Sequence, residues 1–234
     1  MSWKLRWRAK AMVVIKKEAT PHSLVEFQKK AGASYGNVDF PRDDVCDALL
    51  REQGGLCAYC MARITKDNIQ IEHLVPQKGE HYTDQYTQEE CDKLAIDYRN
   101  MMGVCPGGEG RAHRYTTCDE HRKNLRIIID PHQPWMVDTL QYGRDGTITS
   151  TNNRIEHDIS VTLNLNEATL IANRQRAWDA CKRVMQRQRK TGTWTKAMIS
   201  KQIAHYEGRD ENGNRHPYAG IVLYWLKKYW QKAP

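Results

Sequence analysis

Glu72 and His73 lie between two sets of cysteines, Cys57 and Cys60 before them and Cys105 and Cys118 after them, and Asn100 stands just ahead of the third cysteine. Four thiolates can close one tetrahedral zinc site, with Zn–S bonds of ~2.3 Å. A carboxylate, an imidazole and a carboxamide framed by such a site are what a one-metal phosphodiesterase needs. Imidazole has the pKa to draw a proton from water near neutral pH. A divalent cation stabilises the charge that builds on the phosphorane and the leaving oxygen. Nothing in these residues chooses DNA over RNA, because the phosphodiester is all they address.

The first cysteine pair, Cys57-Ala58-Tyr59-Cys60, has the spacing of a metal knuckle. The second is looser: twelve residues separate Cys105 from Cys118, and Pro106-Gly107-Gly108 lets the chain loop back. Cys46, Cys91 and Cys181 fall in helical patterns without a cysteine partner and are expected as buried free thiols. Seven cysteines is an odd number for a disulfide framework. The apolar island Ala11–Ile15 lacks the length and cleavage site of a signal peptide. Reduced thiols in the cytoplasm, four of them on a metal, fit better. The longest apolar run, Ala219–Leu226, is far too short to span a bilayer, so no membrane contact is expected.

The elements that must position these groups follow from the chain's punctuation. Pro41–Gln53 predicts a helix, with Val45, Leu49 and Leu50 on one face and Gly54-Gly55 ending it. Lys66-Asp67-Asn68 predicts a hairpin turn between Arg63–Thr65 and Ile69–Val75. Thr87-Gln88-Glu89-Glu90 is a capping box opening a short helix toward Tyr98, and another helix starts near Cys118. Gly143–Gly146 marks a second hairpin. Helices are expected over Asn166–Lys190, from Thr195 to about Tyr206 and over Tyr218–Trp230. The fold class is α+β, with an all-helical C-terminal part. Its Trp178, Trp194, Tyr206, Trp225, Tyr229 and Trp230 are expected in helix cores, some as interface anchors.

With 234 residues and 40% hydrophobic content the chain can bury a real core, so zinc would be a local staple. The net charge of +8 is uneven. Residues 1–30 hold eight Lys/Arg against two Glu, and residues 174–201 hold nine against Asp179 alone. Two basic segments around an acidic middle suggest a bound polyanion.

Three stretches, Ile71-Glu72-His73-Leu74-Val75-Pro76, Tyr98-Arg99-Asn100-Met101-Met102-Gly103-Val104-Cys105 and Cys118-Asp119-Glu120-His121-Arg122-Lys123, resemble in order the motifs of the HNH endonuclease family. The resemblance implies a ββα-metal module stapled by zinc on Cys57, Cys60, Cys105 and Cys118. In it His73 is the general base, Glu72 the acidic metal ligand (commonly aspartate in the family) and Asn100 the residue that orients the base and braces its loop. Asp119 or His121 supplies the second ligand to a catalytic Mg²⁺ or Mn²⁺. Arg122, Lys123 and Arg126 are placed to hold nucleic acid.

A closer likeness adds Pro21-His22-Ser23-Leu24, Gln53-Gly54-Gly55-Leu56-Cys57-Ala58-Tyr59-Cys60 and Asp130-Pro131. These stretches resemble PtuB-type HNH proteins of Septu and retron anti-phage systems. That likeness implies a PtuA-type partner, an ABC/SMC-like ATPase, and in retrons a reverse transcriptase with its msDNA. The expected organisation is a basic extension over 1–40, the nuclease module over 41–130, a hairpin connector over 131–165 and a helical region over 166–234. The alternative from another class is a zinc-dependent nucleic-acid-binding or scaffold subunit without its own catalysis.

Overall fold

The structure is a computed structural model that describes residues 12–77, 86–188 and 192–234. Lys4, Arg6, Arg8, Lys10, Arg189 and Lys190, which contribute to the two basic segments, lie outside the described residues.

Two short helices lead into the cysteine knuckle, α1 (His22–Gln28) and α2 (Arg42–Gln53). Asp43 and Asp44 in the first turn of α2 complement its positive N-terminal end. Gly54 ends it at φ 65°, a left-handed conformation that glycine adopts at no steric cost. Strand β1 (Gln70–His73) pairs antiparallel with β2 (Met101–Val104), setting His73 opposite Met101 and Ile71 opposite Gly103. Between the strands runs α3 (Gln88–Ala95), whose capping box is complete: Thr87 accepts from the Glu90 amide and the Glu90 carboxylate accepts from the Thr87 amide. A 3₁₀ turn over Tyr98–Asn100 then delivers Asn100 to the sheet. Helix α4 (Cys118–Arg122) closes this part of the chain.

The second half begins with α5 (Pro134–Val137) and a hairpin of β3 (Leu140–Tyr142) with β4 (Ile148–Ser150). Then come α6 (Asn153–His157), a π turn over Asp158–Thr162, and the helices α7 (Ala168–Gln188), α8 (Lys196–Glu207) and α9 (Ala219–Lys232). The mixed helix and strand content agrees with the expected α+β class, and the second hairpin and last helices fall within a few residues of their sequence limits.

Strand β2 is buried on both faces because two cores meet there. Met101 joins Leu24, Phe27, Val45, Leu49, Ile71 and Tyr98 in the smaller core under α1 and α2. Met102 and Val104 face the larger one, which runs from the knuckle through Ile127 and Ile129 to Trp178, Ile199, Ile221 and Leu226. This alternation is the two-residue period of a strand. The aromatic residues of the C-terminal helices are core packing: Trp178 stacks on Tyr229 at 5.9 Å, with the Trp194 ring 5.1 Å from Tyr229. Backbone bonds join these helices to the knuckle, from Tyr218 N to Met61 O (3.0 Å) and from Arg215 N to Gly54 O (2.9 Å).

One expected element differs. Arg63–Thr65 does not pair with Ile69–Val75. Arg63 instead forms an isolated bridge with Leu56, across the knuckle. The Lys66-Asp67-Asn68 turn does form, with Asn68 Oδ1 accepting from Thr65 N (2.8 Å), but Ile69 N bonds back to Thr65 O (2.9 Å) in a helical turn. That geometry carries the following strand away from Arg63 and onto β2.

Gln53, at the last position of α2, is 4% exposed and welds three elements. Its Nε2 donates to Leu56 O (2.7 Å) and Gly103 O (2.8 Å), and its Oε1 accepts from Gly103 N (2.7 Å). Gly103 lets these groups pack closely, since a Cβ there would lie 2.8 Å from Ile69 Cδ1 and push that side chain aside. Gln53→Ala leaves these buried backbone groups unpaired and is expected to cost about 2–3 kcal/mol, measurable as a lowered urea midpoint.

Candidate active site

The four cysteines predicted as ligands come together and are the group of potential metal ligands found among the described residues, with all Sγ atoms within 4.8 Å of one another. Cys57 Sγ is 3.9 Å from Cys118 Sγ, and Cys60 Sγ is 3.7 Å from Cys105 Sγ. A tetrahedron with metal–sulfur bonds of ~2.3 Å has edges of ~3.8 Å, so the spacing fits one thiolate-bound ion and is far from a disulfide. Burial opposes ionisation of Cys57, but its hydrogen bonding with Cys105, Cys118 and Cys60 outweighs it and holds its pKa low. Cys118 reaches the cluster from a strained start to α4, at φ 54°.

From this cluster the chain passes inward through Tyr59, whose hydroxyl donates to Glu72 Oε1 (3.0 Å). Arg122 meets the same oxygen through Nη1, in a buried ion pair where the guanidinium is 0% and Glu72 is 6% exposed. The rest of the guanidinium is engaged too. Nη1 also donates to His73 O (2.9 Å), Nη2 to Leu74 O (2.8 Å) and Nε to Leu125 O (2.8 Å). Arg122 was expected on nucleic acid and is corrected here. Helix α4 turns it into the protein, where it clamps Glu72 and the backbone around His73.

His73 is 3% exposed. Its Nε2 lies 3.0 Å from Ala95 O and its Nδ1 is 3.1 Å from the amide Nε2 of Gln77. A carbonyl only accepts and that amide nitrogen only donates, so these partners assign the proton to Nε2 and the lone pair to Nδ1. Tyr35 packs edge-on against the ring at 4.7 Å. Burial pushes the imidazole pKa down to about 4, so the ring is neutral at physiological pH. Asn100 braces the loop after it: Oδ1 accepts from Val75 N (2.8 Å), and Nδ2 donates to Val75 O (3.0 Å) and Leu94 O (3.1 Å).

Asp119 and His121, two positions apart on α4, separate in space. Asp119 lies beside Glu72. Burial first, then the Glu72 charge and the bond between the two carboxyl groups, raises its pKa to about 7. Carboxylate oxygens are the donor type that a hard divalent cation takes. His121 turns away, stacked on His113 at 4.0 Å with Nδ1 3.1 Å from Thr116 Oγ1. Lys123 is exposed and pairs with Glu120, and Arg126 is exposed at the edge of a cleft beside Leu74.

Sequence reasoning missed Tyr59, Tyr35, Gln77 and Arg42. Arg42, exposed at the start of α2, donates to Tyr35 OH (3.0 Å), and its charge acts on His73. No motif spacing links Arg42 to His73. Only the packing of α2 against the sheet does so.

No family model matches the chain. Among curated proteins, a retron Vc95 protein of Vibrio cholerae serotype O1 biovar El Tor, named as a candidate HNH endonuclease, is 26% identical over 164 residues, covering 66% of this chain and 75% of its own. This relative supports an HNH nuclease. Among the described residues no helix is long and apolar enough to cross a membrane.

Two measurements check this architecture. Cys105→Ser is expected to lose the bound metal and Cys181→Ser to keep it, read by elemental analysis of purified protein. Arg122→Met strands the Glu72 carboxylate in the interior and is expected to cost about 3–5 kcal/mol, as for other broken buried pairs, read by equilibrium denaturation.

Proposed function

We propose that this protein is a metal-dependent HNH endonuclease that hydrolyses phosphodiester bonds in nucleic acid, with His73 as its general base. The observation that supports this reading is the fixed tautomer of a buried, neutral imidazole next to a carboxylate pair. Ala95 O holds Nε2, so the Nδ1 lone pair is the basic position. The group now on Nδ1 is the amide of Gln77, an exposed side chain that can swing aside for water.

In this mechanism His73 Nδ1 takes the proton of the attacking water. Asn100 holds the loop from His73 to Val75, and the imidazole is aligned by Ala95 O behind it and Tyr35 beside it. Arg42, an exposed cation whose charge acts on His73, meets the phosphate in the role expected for Arg122. Glu72 and Asp119 would hold Mg²⁺ or Mn²⁺, which when bound would supply Lewis-acid stabilisation of the charge that builds on the phosphate and the leaving 3′ oxygen. Products carry a 5′-phosphate and a 3′-hydroxyl. Zinc on Cys57, Cys60, Cys105 and Cys118 stays structural, since a closed four-thiolate site leaves no open position for substrate.

The likeness to PtuB-type proteins, together with the retron relative, supports a place in bacterial anti-phage defence, docked on an ABC/SMC-like ATPase. Simple occlusion of the phosphate path by that partner would hold the nuclease idle. In co-expression the two proteins are expected to elute together in size-exclusion chromatography. Independent elution with full nuclease activity alone would leave a stand-alone enzyme.

The test of the catalytic reading uses labelled DNA and RNA with Mg²⁺ or with EDTA. Wild-type protein is expected to cleave only with the metal. His73→Ala is expected to lower the rate by about 10²–10⁴, the usual contribution of a general base, while keeping its zinc and its affinity for nucleic acid. Unchanged cleavage by His73→Ala would overturn the assignment.

A further inference from the structure

Beside the candidate base lies a cleft of about 530 Å³ that the mechanism leaves unused. It is lined by Leu74, the residue after His73, and by Ile128, Met136 and Trp135. Arg126 and Arg154, both exposed, also line it. The volume is in the range of sites that enclose one small organic ligand.

We propose that this cleft is a binding site for an unpaired nucleotide next to the scissile phosphate, so that the protein engages single-stranded nucleic acid there. The proposal rests on the nuclease reading and names its substrate class. Trp135 is 58% exposed and is the one tryptophan among the large exposed hydrophobic residues described. An exposed indole in an apolar-walled cleft can stack a base, which must be unpaired to offer its face. Arg126 and Arg154 are both exposed, and neither has a carboxylate partner among the described residues, so both charges are available to phosphates.

The walls are preorganised. Asp158 Oδ2 accepts from Ile128 N (2.6 Å) and Ile129 N (2.9 Å), and Arg122 Nη2 holds Leu74 O. The cleft's carboxylate, Asp130, does not oppose a phosphate freely. It is turned to His132, accepting from the backbone N at 2.8 Å and lying 2.7 Å from Nδ1. Leu74, which lines the cleft, directly follows the candidate base in the chain.

The test measures binding in full-length His73→Ala protein, so that cleavage plays no part. The probes are fluorescein-labelled oligo(dT) and oligo(rU), and a hairpin duplex of the same length. The single strands are expected to bind more tightly than the duplex. Trp135→Ala is expected to weaken single-strand binding about tenfold, within the usual range for one stacked base, and Trp135→Phe to restore most of it. Arg126→Ala with Arg154→Ala should reduce the salt dependence of binding.

Wild-type affinity in both Trp135→Ala and the double arginine variant, with zinc content and thermal midpoint unchanged, would overturn the proposal. Duplex bound as tightly as single strand, with no loss in Trp135→Ala, would do the same. Neither result touches the cleavage test of His73, so the two readings fail separately.

Discussion

A guanidinium shut away from solvent is the constraint on which the candidate site depends. Arg122 binds Glu72 on β1, Tyr59 in the knuckle, the carbonyls of His73 and Leu74 in the loop, and Leu125 beyond α4. A buried charge is tolerable only when paired and fully hydrogen-bonded, so these elements can take one mutual arrangement or lose the interior charge balance. Arginine suits this position and lysine does not: the planar fork presents five donors in fixed directions, and here the acceptors come from several parts of the chain. Docking Arg122 inward also sets the register of α4, which carries Asp119 to Glu72 and Cys118 to the other thiols.

The thiol cluster and the C-terminal helices form a second layer of support. Cys57, Cys60 and Cys118 belong to the same core as Trp178, Ile221 and Leu226. The helices after α6 therefore pack on the knuckle, leaving Cys105 partly exposed. On the other side, α1 and α2 cover the sheet and bring Arg42 and Tyr35 to His73. The candidate base thus lies where two cores meet, on a sheet whose second strand is buried on both faces, and its bond to Ala95 O holds it from behind while Asn100 braces the loop that follows.

Much of this was legible in the sequence because it was local. The capping box at Thr87–Glu90, the glycine stop after Gln53 and the Cys-x2-Cys knuckle each depend on residues a few positions apart. The cysteine set was legible at longer range because thiols in ordered pairs have few other uses. What failed was non-local. In Cys118–Lys123 the run Glu-His-Arg-Lys looks like a solvated helix end, and only the packed position of α4 turns Arg122 inward while Lys123 stays in water. The ambiguity between Asp119 and His121 had the same origin: spacing along five residues cannot tell which face of a short helix meets Glu72. Arg63 was read as a strand partner because alternation does not reveal that Leu56 competes for its backbone. Arg42 and Trp135 carried no motif at all.

The central claim is that Glu72, Asp119 and His73 form one metal-assisted phosphodiesterase centre, separate from the thiol cluster. Its most direct test is anomalous diffraction from crystals of the protein grown with Mn²⁺ and a non-hydrolysable phosphorothioate oligonucleotide. The account predicts a manganese peak between Glu72 and Asp119, with a phosphate on the Nδ1 side of His73. A peak only at the four cysteines, or a phosphate bound away from His73, would contradict it.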